Sequence, residues 1–166
     1  MLQPVRIRTW APRGETPIQH AWDRRDRLSV IAAISVSPNG HRLGLHDAIH
    51  HHNIRGPVMD DFLSYLHRQL RRRIILVWDR LGVHRSSRTH LEQAHGDWFE
   101  FEWLPAYAPE LDPVEQCWNH AKCTDLANLI PNDIDELHEA LANSLETQRR
   151  NPDLLRSYFK FAGLDL

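Results

Sequence analysis

The feature that most constrains the fold is a short apolar run that ends in an acid. Residues 74 to 78, IILVW, are all apolar and partly β-branched, and Asp79 follows them directly. A run of this length and composition predicts a fully buried strand. Because open α/β sheets carry their chemistry at the carboxyl ends of their strands, the carboxylate of Asp79 is expected at a functional edge.

A second acid follows a second predicted strand. Residues 99 to 104, FEFEWL, alternate aromatic and acidic side chains, which predicts a half-buried strand at the edge of a sheet. After a turn with two prolines, Asp112 is expected to cap a helix that begins at Pro113, so that Glu115 falls in its first turn. If the two strands are parallel neighbours, Asp79 and Glu115 can converge on one divalent cation. Oxygen-only ligands favour Mg²⁺ or Mn²⁺ and phosphoryl transfer.

Each acid also has a simpler interpretation. Asp79 could merely end a strand or begin a turn. Glu115 could be the third helical residue of a capping box with Asp112, an arrangement that needs no metal. It is the combination of the two acids that favours the metal site.

The remaining chain alternates predicted strands and helices. Two β-rich runs around Pro38-Asn39-Gly40 predict a hairpin. An amphipathic helix behind Pro57 leads into the strand at 74 to 78, and a short helix is predicted from Ser86 to His95. A hairpin followed by right-handed βαβ crossovers predicts a mixed sheet with helices packed on it.

Two further helices are predicted at the end of the chain. Asn132 is expected to cap a helix that runs through Arg150, and Pro152 is expected to open the last one. The apolar face of that last helix is predicted from the spacing of four residues: Leu154, Leu155, Tyr158 and Phe161.

Length and composition bound the domain organisation. A chain of 166 residues suits one domain, divided here into a connector loop (1–17), a core (27–125) and C-terminal helices (132–166). No apolar run approaches the ~20 residues that a membrane span requires.

Cys117 and Cys123 form no paired framework, which favours reduced thiols and a cytoplasmic location.

The charge balance is weak for a protein that holds DNA by itself, with a net charge of −2 and a pI near 6.6. The basic residues are nevertheless clustered. One group lies at 68 to 73 and another flanks Asp79; each could simply be a solvated face.

The acidic positions match a known family. WDRLGVH at 78–84, followed after 35 residues by the glutamate of LPAYAPELDPVEQCWNHAK at 104–122, closely resembles the second and third acidic positions of DDE transposases of the mariner superfamily, in its bacterial insertion-sequence branch. TWAPRGETP at 9–17 is similar to the segment that follows the first strand of that branch. The resemblance covers roughly residues 8 to 125. The family usually has asparagine where this chain has Asp112, which retains the capping chemistry.

The resemblance implies an RNase H-like α/β fold and a reaction on DNA at transposon ends and at a target. Asp79 and Glu115 would be the second and third members of an acidic triad that holds Mg²⁺ or Mn²⁺. His84 follows Asp79 by five residues, as in the family motif, and could orient the loop or contact a DNA phosphate; a purely structural histidine is the alternative. Arg85, in the basic group beside Asp79, and Lys122 are the other candidate DNA-binding residues, although Lys122 could be ordinary C-terminal helix charge.

The first acid of the triad is expected to be absent. In the family it lies on a central strand just before the TWAPRG-like loop, whereas here Met1 lies nine residues before Trp10 and the first aspartates are Asp23 and Asp26, in a polar lead-in to the hairpin. The central strand and the N-terminal helix-turn-helix region are expected to be missing too. The chain is therefore interpreted as a transposase catalytic fragment, inactive alone, that is either a relic or is completed by an upstream reading frame or by a homodimer partner.

Three alternatives remain open at this stage. The chain could be a non-catalytic DNA-binding or regulatory module that pairs with full-length transposase. It could be a metal-dependent nuclease acting alone, which would require Asp47 or Asp60 to replace the missing acid beside Asp79. The histidines at 46 and 50–52 invite a zinc interpretation, but adjacent histidines after a strand are more often a polar loop.

Overall fold

The computed structural model describes residues 7, 8, 10–15 and 27–166 of the chain. In chain order the elements are β1 (Ser29–Val36), β2 (Leu43–His50), α1 (Gly56–Leu70), β3 (Ile74–Trp78), α2 (Gly82–His95), β4 (Phe99–Trp103), α3 (Pro113–His120), α4 (Ile134–Arg149) and α5 (Pro152–Phe161). A 3-10 turn, Pro109–Leu111, precedes α3, and a π-helical turn, Ala121–Asp125, follows it. Within these ranges, no helix combines the length and the hydrophobicity that crossing a membrane demands.

The N-terminal strands form the predicted hairpin. β1 and β2 pair antiparallel from Ser29 opposite His50 to Val36 opposite Leu43. Gly40, in the connecting loop, has a φ of 71°, a left-handed conformation that glycine adopts at little cost. The hairpin is therefore placed where the Pro-Asn-Gly sequence indicated.

β3 and β4 are parallel neighbours, as the convergence of the two acids requires. Their register runs from Ile74 opposite Phe99 to Trp78 opposite Trp103. The N–H of Leu104 donates to the carbonyl of Trp78 at 2.9 Å, which extends the pairing to the carboxyl ends of both strands. Both carboxyl ends thus open on the same side of the molecule.

The prediction that β3 is buried on both faces is wrong. Trp78 is 6 % exposed, but Ile75 is 65 % exposed and Val77 55 % exposed. The other face, with Ile74 and Leu76, packs into a cluster with α1 and α2. An apolar sequence shows that a strand can be buried on both faces, but only the packing of other elements decides whether it is.

The two strand pairs are separate sheets rather than one mixed sheet. Within the described residues no strand joins β1 to β3. Both pairs nevertheless share one core, since Ile31 of β1, Trp78 of β3 and Phe99 of β4 belong to the same buried cluster around Phe62 and Leu66 of α1. The architecture is a mixed α/β fold with small sheets flanked by five described helices, consistent with the RNase H-like fold expected.

The opposite face of the hairpin carries a second core. Leu28 and Leu45 pack there with residues of α3, α4 and α5, among them Cys117, Leu141 and Leu155. The helix α3 therefore has its apolar side against the hairpin while its N-terminus lies near the carboxyl ends of β3 and β4. This packing positions the site described below.

Two predicted helix starts need correction. The helix α2 begins at Gly82 rather than at Ser86. The N-cap of α4 is Asp133, whose side chain accepts the N–H of Glu136 at 2.8 Å, and not Asn132. Asn and Asp both cap helices well, so the sequence alone did not decide between the adjacent Asn132 and Asp133.

The apolar face of α5 also differs from the prediction at one position. Phe159 is buried, whereas Phe161 is 71 % exposed. Phe161 is the last residue of α5, and the buried residues of the helix are Leu155, Tyr158 and Phe159.

Some predictions concern residues that the structure does not describe. The connector at 1–17 is described only at residues 7, 8 and 10–15, which contain no helix or strand. Asp23 and Asp26 lie outside the described residues.

Candidate active site

Asp79 lies at the carboxyl end of β3, as the sequence predicted. Its Oδ1 accepts the N–H of Leu81 at 3.0 Å, so the carboxylate does begin a turn. Nδ1 of His84 lies 2.5 Å from the same Oδ1. Oδ2 forms no hydrogen bond with any described residue, and the side chain is 48 % exposed. The turn and the metal site are therefore compatible, because the turn uses only one of the two oxygens.

His84 holds Asp79 in place. Its ring stacks on the Trp78 indole, with centroids 4.7 Å apart and planes within 10°. Its side chain is only 17 % exposed, and Nδ1 also lies 3.3 Å from the backbone oxygen of Asp79. An imidazole fixed on one face and bonded to a carboxylate restricts the rotamers of that carboxylate. A contact between His84 and DNA stays a prediction.

Glu115 is not part of a capping box. Asp112 caps α3 as predicted, with Oδ1 accepting the N–H of Val114 at 3.1 Å. In a capping box the Glu115 carboxylate would accept the backbone N–H of Asp112, but that N–H donates to the carbonyl of Pro109 at 3.1 Å. The simpler interpretation of Glu115 is thereby removed, and its exposed carboxylate is available for a ligand.

Burial and neighbouring charges raise the pKa of two acids of the site, Glu115 and Asp112. Desolvation is the largest cause that raises the pKa of Glu115, and the charges of Asp112 and Asp79 raise it further, while Lys122 lowers it. The pKa of Asp112 is likewise raised, first by desolvation and then by Asp79, against the Val114 N–H and His84, which lower it. Carboxylates that repel one another in a partly desolvated place are stabilised by a cation. The charges of Asp79 and Asp112 are thus near enough to Glu115 to raise its pKa.

Asp112 is the functional candidate that sequence reasoning missed. It was assigned only a capping role, yet its charge acts on Glu115 and it senses the charges of Asp79 and His84. An acid at the N-cap of the helix that carries Glu115 was the indication available in the sequence. In the part of the chain that the structure describes, however, no three His, Cys, Asp or Glu side chains are arranged to hold a metal ion. The residues present thus fit part of a cation site.

The two candidate DNA-binding basic residues lie on different elements. Lys122 is half-buried in the π-helical turn after α3, near enough for its charge to lower the pKa of Glu115. Arg85 is exposed in the first turn of α2, where its backbone N–H donates to the carbonyl of Leu81 at 3.2 Å. Their contacts with DNA stay predictions.

The substitute acids that a self-sufficient nuclease would need are occupied elsewhere. Asp47 of β2 pairs with Arg149 of α4. Asp60 of α1 lies 2.7 Å from Nδ1 of His90. Neither belongs to a metal-holding group with Asp79 among the described residues.

The histidines proposed as a zinc alternative are spread over two surfaces. His46 bonds Ser35 of the hairpin at 3.0 Å, whereas His51 bonds His138 of α4 at 3.2 Å. Nothing in the described residues gathers them into a set of three ligands.

One family model matches the chain. The DDE superfamily endonuclease model covers residues 1–138, more than half of the sequence and including both predicted acids. No curated protein and no solved structure matches the chain.

Proposed function

The chain belongs to the DDE superfamily endonuclease family, and on that premise we propose that it is part of the catalytic domain of a transposase from the mariner superfamily, in its bacterial insertion-sequence branch. One observation supports the proposal most directly: Asp79 lies at the end of β3 and Glu115 in the first turn of α3. The two are near enough for the charge of Asp79 to raise the pKa of Glu115. The substrate class is DNA. The reaction is hydrolysis of a phosphodiester at a transposon end, followed by in-line attack of the freed 3′-hydroxyl on target DNA.

Each residue of the site has a proposed role. Asp79 and Glu115 would hold Mg²⁺ or Mn²⁺, in keeping with the divalent metals that this family generally uses. When bound, such an ion neutralises charge on the phosphate and lowers the pKa of a bound water. His84 fixes the orientation of Asp79, and Lys122 and Arg85 supply positive charge for the phosphates on either side.

We propose further that this chain alone does not cut DNA. The described residues gather no group of three metal-ligating side chains, and β1 and β3 each pair with only one neighbour there. An added extended segment could pair with both strands and bring a further acid to the carboxyl end of β3. An upstream reading frame or a second transposase copy would provide such a segment.

The test is magnesium-dependent cleavage of a labelled transposon-end duplex. The 166-residue chain is assayed alone and after co-expression with the segment encoded upstream. We expect no cleavage by the chain alone and cleavage by the pair, lost on Asp79→Asn or Glu115→Gln. The matched control is Asp60→Asn, an acid engaged with His90 and away from the site, which should leave cleavage unchanged.

One result would overturn the claim of incompleteness. If the purified chain alone cleaves the duplex and Asp79→Ala abolishes the cleavage, the chain is a complete nuclease. If cleavage survives Asp79→Asn in the pair, the assignment of the acids is itself wrong.

A second candidate function rests on the same unpaired strand edges. The chain could act as a non-catalytic DNA-binding or regulatory module that pairs with full-length transposase through β1 or β3. An upstream reading frame that encodes an acid-bearing strand favours the catalytic fragment. If none exists, and adding the chain to full-length transposase lowers its cleavage rate, the regulatory function is favoured.

A further inference from the structure

The ends of β3 and β4 that lie away from the acids carry a second surface, which we call the basic depression. It is an open hollow of about 660 Å³ between the end of α1, the start of β3 and the start of β4. Its positive charges come from four residues: Arg68, Arg71, Arg72 and Arg73. All four are exposed.

The basic depression is positive within a chain whose net charge is −2. Asp97 is the one acid in its lining, and Arg73 lies 3.5 Å from Glu100 at its rim. The other three arginines form no ion pair with any residue that the structure describes. Positive charge is therefore concentrated here beyond what neighbouring acids neutralise.

Helix capping does not account for so much charge. The C-terminus of α1 carries roughly half a negative elementary charge, which one basic residue in the last turn offsets. Arg71 ends that helix in a left-handed conformation, with φ 52° and ψ 38°, and donates its N–H to the His67 carbonyl at 2.8 Å. This turn directs the chain into β3 and places three consecutive arginines at the mouth of the basic depression.

A stack of three rings lies at the floor of the basic depression. The Trp98 ring is sandwiched between those of His67 and His95, at centroid distances of 4.2 and 3.7 Å and with planes within 5° and 3° of parallel. His67 belongs to α1 and His95 to α2, while the Trp98 carbonyl accepts the N–H of Ile74 at 2.9 Å. The stack thus fixes two helix ends to the start of the sheet. A preformed surface loses less conformational entropy when it binds a ligand.

We propose that the basic depression binds the phosphodiester backbone of duplex DNA, at a place distinct from the one that is cut. Guanidinium groups match phosphate oxygens with paired hydrogen bonds, and such contacts do not depend on base sequence. The five residues of β3 separate the basic depression from Asp79, and at ~3.3 Å per residue this is roughly 17 Å. The phosphates held here are therefore several nucleotides from the reacting one. The inference rests on the proposed function only in taking DNA as the substrate class.

The experiment measures binding of the full chain to a fluorescent 30-base-pair duplex by anisotropy, without divalent metal and over a series of salt concentrations. The test variant is Arg68→Gln/Arg72→Gln. Its matched control is Arg42→Gln/Lys160→Gln, which removes the same two charges from exposed positions elsewhere. Each lost phosphate contact should lower the slope of log affinity against log salt by ~0.9. We expect the test variant to bind at least about tenfold more weakly at 0.1 M salt and the control to bind within about twofold of the original chain. Arg68→Lys/Arg72→Lys keeps the charges but not the paired hydrogen bonds, so its affinity should fall between those of the test variant and the original chain.

The outcomes against the proposal are separate from those against the proposed function. Equal weakening by both glutamine variants would show that net charge alone matters, which would overturn the proposal. So would an unweakened test variant, or a chain that does not bind the duplex at low salt. An Arg68→Lys/Arg72→Lys variant that binds no better than the glutamine variant would also overturn it. A tighter complex with RNA of the same length would overturn the assignment to DNA. The assay contains no divalent metal and measures binding rather than cleavage, so a failure of cleavage leaves this measurement intact.

Discussion

Asp112 combines two roles that substitution can separate. As the N-cap of α3 it accepts the Val114 N–H, and as a charge it raises the pKa of Glu115. Asparagine caps a helix about as well as aspartate, whereas alanine leaves the N–H without its acceptor. At about pH 4, where the raised pKa of Asp112 has little effect on stability, we therefore expect Asp112→Ala to lower the free energy of unfolding by about 1 kcal/mol and Asp112→Asn to leave it within a few tenths. Urea unfolding measures both; an equal loss in the two variants would contradict the capping role.

The raised pKa values of Asp112 and Glu115 predict how stability depends on pH. An acid whose pKa is higher in the folded than in the unfolded chain binds more protons when folded, so the free energy of unfolding falls as pH rises through the interval between the two values. Asp112→Asn and Glu115→Gln remove that decline. We expect each variant to gain stability relative to the original chain as pH rises from about 4, the ordinary carboxyl pKa, and to show no such gain below it.

The measurement is urea unfolding at a series of pH values from 4 to 7.5. The control is Glu139→Gln, an exposed glutamate in the middle of α4. A constant difference between each variant and the original chain at all pH values would show that the acids of the site do not carry the effect.

Tyr107 has a backbone conformation that its side chain does not favour. It lies in the loop between β4 and α3 with a φ of 60°, and its side chain is fully exposed. A left-handed non-glycine residue costs roughly 1–2 kcal/mol, and asparagine bears this cost best while a β-branched residue bears it worst. We expect Tyr107→Asn to keep or raise the thermal midpoint and Tyr107→Val to lower it. The opposite order would show that the tyrosine ring stabilises the loop.

At the scale of elements, one buried side chain joins the C-terminal helices. Gln148 of α4 is 0 % exposed. Its side-chain NH₂ donates to the Cys117 carbonyl of α3 at 3.4 Å and to the Ser144 hydroxyl at 3.2 Å. Its side-chain oxygen accepts the hydroxyl of Tyr158 of α5 at 2.9 Å. Burial raises the pKa of Tyr158, which keeps that hydroxyl protonated as a donor. This network fixes how α3, and with it Glu115, sits against α4 and α5.

Removal of one hydroxyl tests the network. Tyr158→Phe leaves the Gln148 oxygen buried without its donor, which costs about 1–3 kcal/mol of unfolding free energy. The matched control is Tyr65→Phe on α1, where the tyrosine is 41 % exposed and the change should cost less than about 0.5 kcal/mol. Equal small losses in the two variants would show that the hydroxyl of Tyr158 adds nothing to the packing of α5.

Elements with a local cause could be predicted from the sequence, and their partners could not. The hairpin follows from Pro-Asn-Gly, the start of α3 from Asp112-Pro113, and β3 from its five apolar residues. The exposure of Ile75 and the choice of Asp133 as a cap depend on which elements pack or bond nearby, so local sequence did not reveal them. The same limit applies to the site. Asp79 and Glu115 could be predicted from the motif and from the predicted strand and helix. The effect of the Asp112 charge on the pKa of Glu115 depends on the folded arrangement and could not.

At the scale of the whole molecule, two sheets share one core without sharing hydrogen bonds. In β3 the N–H of Ile74 and the carbonyl of Trp78 point toward β4. Because a strand directs alternate residues to opposite edges, the N–H groups of Ile75 and Val77 point toward the other edge, where no described strand pairs with them. Among the described strands, β3 therefore has an edge to which a further strand can add.

Hydrogen exchange of backbone amides tests this edge and what binds there. In the chain alone, the amides of Ile75 and Val77 should exchange faster than that of Leu76, because only the last donates to β4. Addition of the upstream segment of the proposed function should slow the two fast amides and leave Leu76 unchanged. Val77→Pro removes an edge N–H but no β3–β4 bond, so we expect it to fold and to lose the response, whereas Leu76→Pro should unfold β3. Equal protection of all three amides in the chain alone would mean that the edge is already paired, and the chain would then need no further strand to complete its sheet.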